Sequence, residues 1–270
     1  MSWIVIDNNE AKRLPVPPVS YQDANIEGVT ISPFILKELL CHPPNRKYVE
    51  KLARYPVRLG MPPGGVMRRI VSLPRSQIVT FSPFYDLTPQ EVQWVLLDPP
   101  AQWLKKFVAE VDTYIKTSSK FLNSLQRKVR HDLKSRGYHP KFADFTEALQ
   151  KLALGPDNLI ERWFMQIVSA DGLSSVGICP QELYMGAMDN AYLRHHFHTV
   201  LWYMLSFQWV WDKQHGIEDN EWIDMTLTLY AAPGDIILTA DGTMCRAVPA
   251  VNPDGAVRTA LAKDLYQTPS

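Results

Sequence analysis

The stretch DNEWIDMTLTLYAAPGDIILTADG, residues 219–242, sets acids among residues whose pattern is that of a protein interior. Asp224 stands between Ile223 and Met225, and Asp241 follows closely on the apolar run Ile236-Ile237-Leu238. The pattern predicts a helix from Glu221 to Ala231, a turn at Ala232-Pro-Gly-Asp, a strand from Ile236 to Thr239, and Asp241-Gly242 beyond it. Trp222, Ile223, Met225 and Leu227 leave little of that helix polar. An acid placed there needs a partner, because an unpaired buried carboxylate is costly.

The amino-terminal end repeats the arrangement. Trp3 to Ile6 is a short β-branched run that predicts a buried strand ending at Asp7, with Asn8, Asn9 and Glu10 opening a polar loop. Gly28 to Ile31 predicts a second strand, and Ser32-Pro33 reads as an N-cap followed by proline at the first helical position of a helix carrying Glu38. Strands alternating with helices at both ends predict an α/β fold. Functional groups of open parallel sheets gather beyond the carboxyl ends of strands, where Asp7 and Asp241 both fall.

Residues 41–216 read as a mostly helical elaboration or insertion within a single domain whose core is residues 1–40 and 217–248. From Cys41 to Phe84 prolines and glycines predict irregular structure with one short strand, Ser76 to Phe81. Thr88-Pro-Gln-Glu91 has the form of a capping box. A long helix follows from Ala101 to Gly137, with Lys105, Lys106, Lys116, Lys120, Arg127, Lys128, Arg130, Lys134 and Arg136 along it. That run reads first as a solvated face and second as a phosphate-contacting edge. Ile160 to Ser169 fits a helix or a strand, and Glu182 to Gln214 predicts one or two apolar helices.

Lys plus Arg and Asp plus Glu both number 28, so net charge offers no general pull on a polyanion, and any basic surface must be local. Cys41, Cys179 and Cys245 are odd in number and widely spaced, which suits reduced thiols and a cytoplasmic setting. The first ten residues lack a secretory pattern. The most apolar segment, Phe197 to Trp211, is shorter than the roughly 18 to 20 residues a span needs, so no membrane is expected as a partner.

Asp7, Glu38, Asp224 and Asp241 come from four separated segments that this topology would bring to one cleft. Carboxylates so gathered repel one another unless a cation neutralises them. Mg²⁺ or Mn²⁺ is the expected ion, since hard divalent cations take oxygen ligands and bridge to phosphates. A pair of them can promote attack of water on a phosphodiester.

In order and spacing the acids resemble the pattern of PIN-domain metal-dependent nucleases. The motifs are IVIDNN with Asp7, ISPFILKELL with Glu38, EDNEWIDMTLTLYA with Asp224, and IILTADG with Thr239 and Asp241. The resemblance covers roughly residues 1–40 and 217–248. It implies a PIN-like three-layer α/β/α sandwich with a central, mainly parallel sheet, and metal-dependent cleavage of RNA, less often DNA. Asp7, Glu38, Asp224 and Asp241 would hold the ion that generates the attacking hydroxide, with Asn9 or Thr239 bonding ligands or a water. Asp219 and Glu221 compete with Asp224 as the third acid, Asp219 being also a candidate helix N-cap. Lys12 and Arg13, with Arg68, Arg69 and the Lys-rich helix, would supply local positive charge for RNA, and a protein regulator or antitoxin is a further expected partner.

Two other functions compete: a catalytically inactive PIN-like module that binds RNA or protein, and a metal-dependent phosphoesterase acting on a small substrate. The histidines of RHHFH, residues 194–198, are too crowded on one helix to share an ion, since only His195 and His198 lie on one face, and read as structural. MPPGGVMRR lacks the GK[ST] ending of a P-loop, and no G-x-S-x-G stretch supports a serine hydrolase.

Overall fold

The structure is a computed structural model that describes residues 2–15, 26–138, 144–154, 158–169, 180–209 and 218–265. Cys179, the terminal QTPS and the part of the expected apolar helices beyond Trp209 lie outside these residues. In chain order the first elements are β1 (Ser2–Ile6), α1 (Asn8–Arg13), β2 (Ile26–Ile31), α2 (Pro33–Cys41), α3 (Arg46–Leu52), β3 (Val57–Leu59), α4 (Pro63–Ile70) and α5 (Arg75–Val79). Then come α6 (Pro89–Leu97), α7 (Ala101–Ser135), α8 (Phe145–Ala153), α9 (Leu159–Ser169), α10 (Pro180–Asp189) and α11 (Ala191–Trp209). The chain returns to the sheet through α12 (Asp219–Leu227), β4 (Ile236–Leu238), α13 (Met244–Val251) and β5 (Arg258–Ala260).

The five strands form one sheet in the order β3-β2-β1-β4-β5, every neighbouring pair parallel. Successive strand residues face opposite sides of a sheet, yet Ile4, Val5 and Ile6 of β1 and Ile236, Ile237 and Leu238 of β4 are all 0% exposed. Both faces are therefore covered, as a parallel sheet requires. The fold is α/β with an all-parallel sheet. From β1 the chain builds outward through β2 and β3, then returns to the other side of β1 for β4 and β5, so the strand order reverses between β1 and β4. Such a reversal opens a crevice at the carboxyl ends of the two strands.

Several local expectations follow the chain faithfully. Ser32 Oγ accepts from Ile35 N at the start of α2, and Thr88 and Glu91 form the capping box of α6. Residues 160–169 belong to a helix.

Others are corrected. Asn8, Asn9 and Glu10 are in α1, because Asp7 caps that helix and accepts from Asn8 N. The span Ser76 to Phe81 is mostly the short helix α5, of which only Ile78 is buried; Pro74 precedes its first turn, and one buried side chain gives a strand no face to bury. The edge strand in this part of the chain is β3, and another edge strand, β5, follows residue 248. Both edges of the sheet thus come from outside residues 1–40 and 217–248. The helix expected from Glu221 to Ala231 begins at Asp219, ends at Leu227 and passes into a 3-10 turn, Thr228–Tyr230. Its N-cap is Glu218, so Asp219 does not hold that place.

Two glycines let neighbouring segments close on the sheet. Val29 N donates to Pro56 O, and a Cβ on Gly28 would overlap that same carbonyl. A Cβ on Gly60 would lie 2.5 Å from the ring of Tyr230, which is fully buried and donates its hydroxyl to Met61 O at 2.6 Å. No helix among the described residues is long and apolar enough to cross a membrane.

Candidate functional site

Asp7 leaves the carboxyl end of β1, and its backbone N donates to Leu238 O at the end of β4 at 3.0 Å. The two strand ends are thereby locked side by side. Asp241 comes three residues after β4. Its N donates to Thr239 Oγ1 at 3.0 Å, and its carboxylate accepts from Met244 N at 2.7 Å, where α13 begins. Thr239, almost fully buried, thus shapes the turn that presents Asp241.

Glu38 lies on α2, which follows β2, and Asp224 on α12, which leads into β4. One long helix holds the two in place. α7 packs against both α2 and α12, with Tyr114 set between Phe34 and Trp222 at centroid distances of 6.2 and 6.1 Å. Lys37, beside Glu38, donates to Asp112 of α7.

The electrostatics join these segments. Burial pushes the Asp224 carboxyl up to about 7, assisted by the charges of Asp7, Asp241, Glu221 and Glu38. Asp7 is also raised, by burial first and then by Glu10, Glu38 and Asp241, against a lowering hydrogen bond from Asn8 N. Glu221 is raised by burial and by Glu218 and Asp241, although its carboxylate also accepts from Glu218 N at 2.9 Å, which lowers it. The buried hydroxyl of Tyr203 on α11 is made less acidic by burial and by Asp241, Asp224 and Glu221. These groups share one low-dielectric neighbourhood.

Of the rivals for the third acid, Glu221 lies within the field of Asp224, whereas Asp219 is exposed and contributes to neither Asp7 nor Asp224. Asn8 and Tyr203 are the groups of this neighbourhood that the sequence did not single out. Asn8 Oδ1, next to Asp7, and Glu38 Oε2 are both buried oxygens without a hydrogen-bond partner. Tyr203 is the other omission in its neighbourhood; only its place in an apolar helix hinted at it. Asn9 is exposed on α1. Lys12 and Arg13 are exposed too, and Arg13 is committed to Glu10, which is fully buried and also accepts from Ala262 N at 2.6 Å.

The donor set is entirely oxygen, which suits Mg²⁺ or Mn²⁺ by its chemistry, and the unpartnered Glu38 Oε2 is the kind of atom such an ion would satisfy. The acids share a field at longer range than direct ligation. Among the described residues, no group of three or more His, Cys, Asp or Glu side chains is arranged to hold a metal ion.

The histidines on α11 lie apart from this chemistry. His195 Nδ1 is 2.9 Å from Asn252 Nδ2, and His196 Nδ1 is 3.0 Å from Thr228 Oγ1. Burial holds His195 at about 3 and both His196 and His198 at about 4, so all three are neutral near pH 7. His195 and His198 line a cavity of about 350 Å³ that includes none of the four acids.

The raised Asp224 carboxyl has a thermodynamic consequence. The folded chain keeps on Asp224 a proton that the unfolded chain releases near its ordinary value of 3.8. That contribution to stability is complete below about pH 4 and lost as pH rises through about 7. Without divalent ions, Asp224→Asn should change stability little at about pH 4 and stabilise the protein progressively as pH rises to about 8, by on the order of 4 kcal/mol. Comparing the two proteins by urea unfolding cancels the histidines, whose effect has the opposite sign. A difference that does not grow with pH would show that Asp224 is not held protonated.

The chain matches no family model, no curated protein and no solved structure.

Proposed function

We propose that this chain is a metal-dependent endonuclease of the PIN-like type, hydrolysing phosphodiester bonds of RNA. The observation that carries the reading is the field at Asp224. Asp7, Asp241 and Glu38, from three other segments, and Glu221, one turn earlier on the same helix, all raise the affinity of one buried carboxyl for a proton, beside the reversal of strand order in the sheet.

Asp7, Glu38 and Asp241 would hold Mg²⁺ or Mn²⁺, with Asp224 beside them, on drawing closer together than they stand in the ion-free chain. The ion, when bound, supplies neutralising charge and lowers the pKa of water. The residues supply the rest. Asp224, a carboxylate beside them, would accept the proton of an attacking water. The oxygen of that water bonds to phosphorus as the bond to the 3′-oxygen breaks; the leaving 3′-oxygen takes a proton from solvent. The products are a 5′-phosphate and a 3′-hydroxyl, and the ribose 2′-hydroxyl takes no part. Thr239 holds the turn of Asp241, so its role is to position that acid.

The test is turnover of a labelled single-stranded RNA, a single-stranded DNA and a generic phosphomonoester with Mg²⁺, Mn²⁺ or EDTA. RNA should be cut only with a divalent ion, leaving 5′-phosphate ends. Turnover of the phosphomonoester alone would replace this reading by a small-molecule phosphoesterase. No turnover of any substrate, with no calorimetric binding of Mn²⁺, would end it.

A further inference from the structure

Six of the eight Lys and Arg residues of α7 lie on one side of that helix. At 100° per residue, Lys105, Lys116, Lys120, Arg127, Arg130 and Lys134 project within about 80° of one another, along about 44 Å of axis. Arg130 is half-buried and the other five are exposed. None of the six forms an ion pair among the described residues.

The acids of α7 are used differently. The helix has three, and each is tied to a cation from another element: Glu110 to Arg68 at 2.7 Å, Asp112 to Lys37, and Asp132 to Arg162 at 2.7 Å. In a chain with equal numbers of acids and bases, this leaves one flank of a long helix with uncompensated positive charge. The flank itself continues to the candidate site, because Asp112 lies on it and holds Lys37, the chain neighbour of Glu38.

We infer that this flank of α7 is a track for the phosphate backbone of an RNA strand that leads to the acid cluster; the second half of the statement rests on the nuclease reading, the first does not. A row of cations along one flank matches a backbone that carries one charge per nucleotide and demands no base readout. A lipid surface fits worse. Membrane-lying helices insert an apolar face, and the apolar face of α7, including Phe107, Val111, Leu122, Leu125, Val129 and Leu133, is buried in the core. A folded acidic protein fits worse too, because the row lacks the aromatic anchors on which protein interfaces depend.

The track is tested by binding in EDTA, which separates it from cleavage. The probes are a labelled oligouridylate long enough to run the length of α7 and one too short to pass Lys116. Lys116→Gln, Lys120→Gln, Arg127→Gln and Lys134→Gln, combined in one protein, should weaken binding of the long probe by tenfold or more. The salt slope of that binding should fall by about 3, the order expected for four lost contacts to a single strand. The short probe, which spans fewer cations at once, should bind the wild type with a smaller salt slope than the long one. Changing the three lysines to arginine instead should preserve the affinity, which rules out a folding defect. Equal affinity of the glutamine variant for the long probe would overturn the inference. Binding of anionic phospholipid vesicles or polyglutamate in place of RNA would overturn it as well. If the slope falls as expected but the wild type cuts no RNA, the track stands and the nuclease reading fails.

Discussion

Asp7→Asn combined with Asp241→Asn should lower divalent-ion-dependent RNA cleavage by about a thousandfold or more, the order found when charged groups that act as a unit are removed. The substitution is chosen to leave the fold alone. Asp7 caps α1, and asparagine is as good an N-cap as aspartate. Asp241 accepts from Met244 N, and an amide oxygen can do the same. What disappears is the charge of two carboxylates delivered by adjacent parallel strands, and with it much of the site's attraction for a cation. Because Asp7 and Asp241 both raise Asp224, the variant should also bring the Asp224 carboxyl back towards its ordinary range. The protein should then be as stable as the wild type or more so in EDTA, while its binding of Mn²⁺ by calorimetry is lost. Undiminished cleavage and Mn²⁺ binding in a folded double variant would remove the acids from the mechanism.

The residues behind that prediction were legible in the sequence because each sits where a strong local signal ends. Ile4 to Ile6 and Ile236 to Leu238 are continuous β-branched or leucine runs, fully buried as such runs in parallel sheets are. An acid just after each run has to lie near the carboxyl end of a strand. Ser32-Pro33 fixed the start of α2, and hence the turn on which Glu38 lies. The edges of the sheet gave no comparable signal. β3 and β5 have three residues each, fewer than a period-two pattern needs, and each carries an arginine, which interrupts any apolar run. The choice between Asp219 and Glu221 was closed to inspection for a different reason. Both fit the first turn of a helix, and only the three-dimensional field separates them: Glu221 acts on Asp224, while Asp219 faces solvent. Burial of Glu10 was hidden in the same way, since its backbone partner Ala262 is 252 residues distant in the chain.

Asp235→Ala should cost about 3 to 5 kcal/mol of stability, the range for breaking a buried ion pair from one side. Within the sequence, Asp235 is the last residue of the turn Ala232-Pro-Gly-Asp. In the fold it is a nearly buried carboxylate that receives Trp3 N at 2.9 Å, Ala232 N at 3.0 Å and the Arg58 guanidinium at 2.8 Å. Arg58 reaches it from the edge strand β3, donating on the way to Thr30 Oγ1 of β2 at 2.6 Å. Its guanidinium also lies over the rings of Trp3 and Phe84, at 4.6 and 4.1 Å from their centroids. One arginine therefore staples β3, β2 and β1 to the start of β4. Alanine at 235 would leave that charge mostly buried without its carboxylate and orphan two backbone N–H groups. Arg58→Lys should lose a large part of the same stability, because an ammonium cannot reproduce the planar fork or the stacking. In a double-mutant cycle with Arg58→Met, urea unfolding should return a coupling energy of about 1 kcal/mol or more, within the range for contacting residues. Additive losses would mean that the two side chains act separately. Asp235 joins β4 to β1 at their amino ends, and Asp7 and Asp241 lie beyond their carboxyl ends, so at a temperature where the Asp235 variant remains folded its Mn²⁺ affinity should equal that of the wild type. A fall in that affinity would mean that the spacing of β1 and β4 at the site depends on this pair as well as on the strand pairing itself.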